Sequence, residues 1–297
     1  WTPLLTPITI PASVETIGES AFQGSTLTSI TFEAGSKLNS IGEYAFYETS
    51  FTSITIPASV ETIGARAFSN SGLTNITVSP SNSDFKDISG VLFNKDGTTL
   101  IQYSISNTRS SYIIPESVTS IGDNAFLNAM HLTSITIPAS VTSIGKQAFS
   151  QASNLTSVTF ETGSKLNVID SNAFSFSALT SIIIPPNVNS IGTDAFQNSG
   201  LTEAIIYSDQ LGKPGFPTSL GSGKTFGGNT GVNVISYQLF SGTGTLTGGW
   251  NNNSGNSIAI IEGYSTLGSD AFNGSNMKSG IIGASVETIQ EDRKSVV

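Results

Sequence analysis

The sequence predicts a repeat solenoid, mostly β, built from short strands and turns that recur along the chain. Three observations predict it. The dipeptide Ala-Phe recurs at Phe22, Phe46, Phe68, Phe126, Phe149, Phe174, Phe196 and Phe272, with consecutive spacings of 24, 22, 58, 23, 25, 22 and 76. Four residues before each Ala stands an apolar residue, usually followed by Gly: Ile17, Ile41, Ile63, Ile121, Ile144, Ile169, Ile191 and Leu267. Downstream comes a triplet of the form LxxIxI, as at Leu27, Ile30, Phe32 and at Leu132, Ile135, Ile137. Fixed-period self-similarity of this kind marks solenoids and arrays.

Each part of the unit has a physical reading. The last residues of LxxIxI alternate inward, outward, inward, which suits a very short strand. A Pro usually follows, as at Pro11, Pro57, Pro115, Pro138 and Pro185, and ends the pairing because it has no N–H to give. Gly and small polar residues before Ala-Phe suit a turn or a single helical turn. A unit of about 23 residues buries about seven apolar side chains, each worth roughly 1.5–3 kcal/mol. Ordering its backbone costs about 1–2 kcal/mol per residue, so one unit alone cannot fold. Stacked units fold because each covers its neighbour's core face and pairs its strand edge.

The pattern LTSITIPASVTSIGxxAFxxS resembles the BspA-like (Treponema pallidum-type) leucine-rich repeats, over 5–206 and 257–289. The resemblance implies a curved solenoid with the parallel sheet on the concave side and turns or short helical turns on the convex side. It also implies a surface protein that attaches to host proteins, extracellular matrix or other cells. The family often carries Cys three residues after the Phe. Here that place holds Ser25, Thr49, Ser71, Ala129, Ala152, Ser177, Ser199 and Ser275, all small, as an inward-facing tight turn requires.

Three segments follow. Residues 1–206 read as the solenoid, with an elongated repeat at 79–111. In it, SGVLFNKDGTTLIQY reads as two strands around Lys95-Asp96-Gly97, since Asp-Gly is a hairpin signal. Residues 207–256 are Gly-rich, lack Ala-Phe, and suit either a distorted linker or a small β insertion. Residues 257–297 resume the repeat and end atypically. With no capping pattern at either end, the terminal strands are expected to expose pairing edges, as in a segment of a longer array.

Composition removes most chemistry. There is no Cys and a single His, His131, so thiolate catalysis, multi-His metal sites and Cys-based clusters are excluded. His131 is expected in an exposed turn. Net charge is −9, which argues against nucleic acid and anionic membrane as partners. Charged residues make up 11% of the chain, against about 25% in an average soluble domain; Ser and Thr, at about 27%, fill the gap. No run approaches the roughly 18 apolar residues of a membrane span. LGSGKTFGG invites a phosphate-loop reading, but Thr218 stands where the first Gly is needed, and a flexible glycine loop is the better account. No enzyme, cofactor or metal site is expected.

What remains is a ladder of outward strand residues: Ser29 and Thr31, Ser53 and Thr55, Asn75 and Thr77, Ser134 and Thr136, Ser157 and Thr159. Two further pairs, Ser181 with Ile183 and Glu203 with Ile205, stand at its far end. Strands about 4.8 Å apart would line these hydroxyls into rows, a candidate ligand-binding face for a host, matrix or other cell-surface protein. The alternative is a solvated face whose Thr content reflects β-propensity alone, in a chain that serves as a structural spacer. The expected setting is extracellular or the cell surface.

Overall fold

The computed structural model describes residues 7–207, 210, 212–216, 221–241, 245–246, 257–262, 266–267, 279–282 and 288–289. Among these the regular elements are strands, assembled as a solenoid of parallel ladders. The LxxIxI triplets form one ladder side: Ile8–Ile10 pairs with Ile30–Phe32, Ser53–Ile56 with Asn75–Val78, and Ser111–Ile113 with Ser134–Ile137 and then Ser157–Phe160. Equivalent residues stand opposite one another, Ile54 against Ile76 and Ile135 against Val158. Inward residues such as Ile54, Ile56, Ile76 and Ile137 are buried, while the residues between them face out.

A second ladder was not legible from the sequence. The residue pairs ending at the Ile before Gly form two-residue strands. Thr16–Ile17, Ser40–Ile41 and Thr62–Ile63 stack in register, as do Ser120–Ile121, Ser143–Ile144, Val168–Ile169 and Ser190–Ile191. Two residues give no alternation to detect, so only pairing with the neighbouring coil identifies them as strands. In the inner coils where Gly follows, at Gly42, Gly64, Gly145 and Gly192, the preceding coil requires it; Asp170 follows Ile169 instead. A Cβ at Gly64 would lie 2.4 Å from the Glu43 backbone nitrogen, and one at Gly192 would lie 2.3 Å from that of Ser171.

The Ala-Phe segment is a turn and not a helical turn. The residue before Ala and the residue two after Phe are both left-handed in each regular coil, as at Tyr44 and Glu48, Asn124 and Asn128, Asn172 and Phe176. This geometry frees the backbone amides to bond across coils. Phe46 N–H donates to the Ala67 carbonyl at 2.8 Å, and Phe126 N–H to that of Ala148 at 2.7 Å. At the place where the family often has Cys, Thr49 and Ser71 are buried and donate back to the carbonyls of Phe46 and Phe68 at 2.8 and 2.7 Å. The small-residue expectation therefore holds; at Thr49, Ser71 and Ser199 the hydroxyl satisfies a turn carbonyl, whereas the buried Oγ atoms of Ser25 and Ser177 have no hydrogen-bond partner among the described residues.

The Phe rings stack on one another along the interior. Phe22, Phe46 and Phe68 are near-parallel with centroids 5.4 and 5.6 Å apart. Phe126, Phe149, Phe174 and Phe196 follow at 4.7, 5.0 and 5.4 Å. Between Phe68 and Phe126 the elongated coil intervenes. Its expected hairpin joins Val91–Asn94 to Thr99–Gln102, and Phe85–Ile88 adds a further antiparallel strand. Leu100 then enters the second ladder opposite Ile121. Tyr103 takes the place of Phe, with its N–H on the Ala125 carbonyl and its ring 5.0 Å from Phe126. The buried apolar residues accordingly form two clusters that part at this coil: Ile10 to Leu92, and Val91 to Val234. Arg66 spans the junction on the turn side, bonding Asn124, Gln147 and Tyr44.

The Gly-rich stretch continues the ladder. Glu203–Tyr207 pairs in parallel with Asn229–Ser241, which pairs in turn with Ser257–Glu262. Gly221–Phe226, expected as a flexible glycine loop, is a strand antiparallel to Asn229–Ser241. Glycine does not forbid a strand where a partner supplies the hydrogen bonds. Phe226 extends the ring stack, 5.4 Å from Phe196, although no Ala-Phe precedes it.

Three outcomes test this packing. Gly64→Ala should destabilise the chain by about 1–3 kcal/mol by overpacking. Gly18→Ala, whose Cβ would meet nothing within 4 Å, should change stability by less than about 0.5 kcal/mol; denaturant melts of both variants check this. The Tyr103 hydroxyl is buried without a hydrogen-bond partner, so Tyr103→Phe should raise stability by about 1 kcal/mol. Burial pushes the Tyr112 phenol up to about 12 and raises that of Tyr103. An acid whose folded pKa lies above its unfolded value binds its proton more tightly when folded, so stability is intact below about pH 10 and falls as pH rises from there toward 12. Alkaline titration followed by ultraviolet absorbance and circular dichroism should show that order.

Candidate functional site

The ladder places all ten candidate residues on one outward face. Thr31, Ser53, Thr55, Asn75, Thr136, Ser157 and Thr159 are exposed, and Ser29, Thr77 and Ser134 are half-buried. Parallel pairing aligns them in two rows. One runs Thr9 to Thr31, Thr55 to Thr77, and Thr136 to Thr159; the other runs Ser53 to Asn75 and Ser134 to Ser157. Neighbouring hydroxyls reach one another at the first rung, where Thr9 and Thr31 Oγ1 atoms are 2.9 Å apart. Asn75 Nδ2 donates to Thr77 Oγ1 at 3.1 Å within its own strand. Ser53, Thr55, Ser134, Thr136, Ser157 and Thr159 make no side-chain hydrogen bond to another described residue, so their hydroxyls face solvent.

The Thr that follows the Leu of LxxIxI belongs, in four coils, to a separate, structural row. Thr74, Thr133, Thr156 and Thr202 donate their hydroxyls to the equivalent carbonyl of the preceding coil, at 3.1–3.2 Å. These threonines tie coils together, which separates them from the outward pairs.

Sequence reasoning missed three residues of the face. Thr9 lies at the first rung. Ser111 and Ile113 enter opposite Ser134 and Thr136 through the strand of the elongated repeat. Ile113 is 87% exposed, an apolar residue set among hydroxyls. The string SYIIP in register with SITIP carried the signal. At the far end Ile183 is also exposed, whereas Ile205 is buried.

The face is not one continuous sheet. Ile30–Phe32 does not pair with Ser53–Ile56, and Ser157–Phe160 does not pair with Ser181–Ile183. A third break, between Asn75–Val78 and Ser111–Ile113, lies at the elongated coil; the other two follow the coils in which FExGSKL replaces IPASV: residues 32–38, and residues 160–166, 128 positions later. The corner built by this motif is the same in both. Gly35 and Gly163 are left-handed at φ 74° and 75°. Glu33 and Glu161 Oε2 accept the backbone N–H groups of Ala12 and Ala139 at 2.9 and 3.0 Å. Lys37 and Lys165 N–H bond the carbonyls of those same alanines at 3.0 Å. Each corner thus reaches back to the preceding coil, and the strand after it stands apart. The repeat spacings of 24 and 25 were the only trace of it in the periodicity.

The same interval separates another matched pair. Buried Asn82 donates to the carbonyls of Pro57 and Val60, and buried Gln210 to those of Pro185 and Val188. At the first opening the outward face holds a groove of about 590 Å³, lined by Ser29, Thr31, Ser53 and Thr55 of the candidate set together with corner residues such as Glu33, Ser36, Pro57 and Ser79.

His131 lies in an exposed turn. Among the described residues no cluster of three or more His, Asp and Glu side chains could hold a metal ion, and no helix is long and apolar enough to cross a membrane.

The BspA type leucine rich repeat region matches the chain over residues 1–110, 98–214 and 249–293. No curated protein matches the sequence. Among solved structures, a leucine rich cell surface protein from Faecalibacterium prausnitzii is 28% identical with a TM-score of 0.64, over 77% of this chain and 59% of that one. The chain thus spans about three-fifths of that protein's length. The pneumococcal vaccine antigen PcpA (21% identity, TM-score 0.58, 96% of this chain and 79% of that) shares the fold. So does a leucine-rich repeat protein from Eubacterium ventriosum (20%, TM-score 0.50, 98% and 79%). The recurring Ala-Phe turn, the stacked phenylalanines and the family match covering most of the sequence establish that the chain belongs to the BspA-type leucine-rich repeat family.

Proposed function

We propose that the chain is a non-catalytic adhesion module, secreted or displayed at a cell surface, that binds a host, matrix or other cell-surface protein through the hydroxyl rows of its ladder face. The observation that carries this reading is the alignment of exposed, hydroxyl-bearing side chains in register over successive coils. Solenoids use such extended surfaces for recognition. Membership of a family with a cell-surface representative supports the location. No nucleic acid is proposed as a partner, because the chain carries net charge −9 and phosphate backbones require cationic contacts.

A second reading, a structural spacer within a larger surface protein, is favoured by what the ten candidate positions lack. None of them is Trp, Tyr or Arg, the residues that anchor most tight interfaces. Binding through the rows would be weak per coil and rely on extent.

The double variant Thr136→Lys, Thr159→Lys separates the two. Both residues are exposed on adjacent rungs, so the substitutions leave the core intact. The adhesion reading expects the purified chain to bind at least one member of a matrix and host protein array, and the double variant to lose tenfold or more of that binding. Unchanged binding, or none at high micromolar concentration, leaves the spacer reading in possession.

A further inference from the structure

We propose that the groove between Ile30–Phe32 and Ser53–Ile56 is a binding site for a short neutral oligosaccharide. The groove uses four residues of the protein-binding face, Ser29, Thr31, Ser53 and Thr55, but the protein-binding reading is tested on other coils.

The groove exists because the FExGSKL corner separates two strands that would otherwise pair. Its volume of about 590 Å³ falls within the roughly 300–1,000 Å³ typical of small-ligand sites. Six hydroxyls line it: Ser29 and Thr31 on one strand, Ser53 and Thr55 on the next, and Ser36 and Ser79 from the corners. A hydroxyl both donates and accepts, so such a set complements a ligand that is itself a cluster of hydroxyls in mixed orientations. Phe32 and Pro57 also line the groove, both half-buried. They offer apolar contact to the C–H faces of sugar rings.

Charge decides the class of sugar. Glu33 is the one charged residue in the lining. Its carboxylate is fixed by the Ala12 N–H on Oε2 at 2.9 Å. No Lys or Arg lines the groove, so sialylated, uronic or sulfated sugars would meet uncompensated repulsion. A neutral sugar meets an acceptor instead. An extended peptide fits less well, because strand-adding peptides draw specificity from pockets for alternate side chains, and every outward strand position in this lining is Ser or Thr.

The corner recurs 128 residues on, with Glu161, Gly163 and Ser164 in the same places. The second opening, however, presents Ile183 where the first has Thr55. It offers one hydroxyl fewer and is the weaker site on this chemistry.

Saturation-transfer NMR and calorimetry on the full chain test the proposal. The ligands are maltotriose, cellotriose, mannotriose and triacetylchitotriose, with 3′-sialyllactose as the anionic control. The expected result is saturable binding of at least one neutral trisaccharide and none of sialyllactose. Ser53→Trp, which fills the groove from an exposed position, should weaken that binding at least tenfold while circular dichroism and melting temperature stay unchanged. Thr136→Lys, Thr159→Lys should leave it intact, so loss of protein binding and loss of sugar binding are read separately. The proposal is overturned if no neutral trisaccharide binds at millimolar concentration, if folded Ser53→Trp binds as the parent does, or if sialyllactose binds equally well. If Ser53→Trp fails to fold, Glu33→Gln takes its place: it should admit sialyllactose while keeping neutral binding, and unchanged exclusion of sialyllactose counts against the site.

Discussion

Ring-on-ring contact between consecutive coils sets the geometry of this solenoid. A coil of about 23 residues has no interior of its own. Its phenylalanine is shielded only when the equivalent ring of the next coil lies about 5 Å away, as Phe149 and Phe174 do. Such a contact fixes the coil pitch near the 4.8 Å spacing of β-strands, so backbone pairing and side-chain stacking agree on a single repeat distance. Both ladders, the cross-coil amide bonds at Ala-Phe and the crowding at Gly42, Gly64, Gly145 and Gly192 follow from that shared pitch. The turn accepts two left-handed residues per coil, a conformation unfavourable for most side chains, because cross-coil bonding and ring burial over-determine it.

Where the repeat departs from its pattern, the stack is preserved and the periphery changes. Tyr103 stands in for phenylalanine with a different local chain path, and Phe226 does so without an Ala before it. Phe68 and Phe149 are both buried rungs, yet they belong to two interior clusters and not one. The elongated coil parts them, and Arg66 bonds across that junction on the turn side. The FExGSKL corners act on the other side. They leave the rings in register at Phe46 and Phe174 while opening the outer ladder. A solenoid can therefore vary its recognition face coil by coil, since interior and face are held by different residues of the same unit.

For recognition, the division between structural and outward hydroxyls matters most. Thr74, Thr133, Thr156 and Thr202 spend their hydroxyls on neighbouring carbonyls. The Ser-x-Thr pairs beside Thr133 and Thr156 do not. A Thr-rich face is therefore part scaffold and part surface, and composition alone cannot separate the two. Ile113 interrupts the outward row, so the face carries local identity as well as repetition.

The repeating apolar anchors were legible because each is identified by its spacing alone. The equivalents of Ile17, Phe46 and Ile54 recur every 22–25 residues in the regular coils, a short interval that a stack of coils satisfies. The outward placement of Ser53, Thr55, Ser134 and Thr136 followed from two-residue alternation. Hidden from sequence were features defined by a partner. The two-residue strands ending at Ile41 and Ile144 exist only by pairing. The Gly221–Phe226 segment becomes a strand only because Asn229–Ser241 lies beside it. Tyr103 is an anchor only because its ring meets Phe126. Periodicity alone placed the regular anchors in the interior, while Ile205, which the alternation turns outward, is buried in the fold. Where the ladder opens and what lines the opening emerge only on folding, because a gap is a relation between two coils and no single coil encodes it.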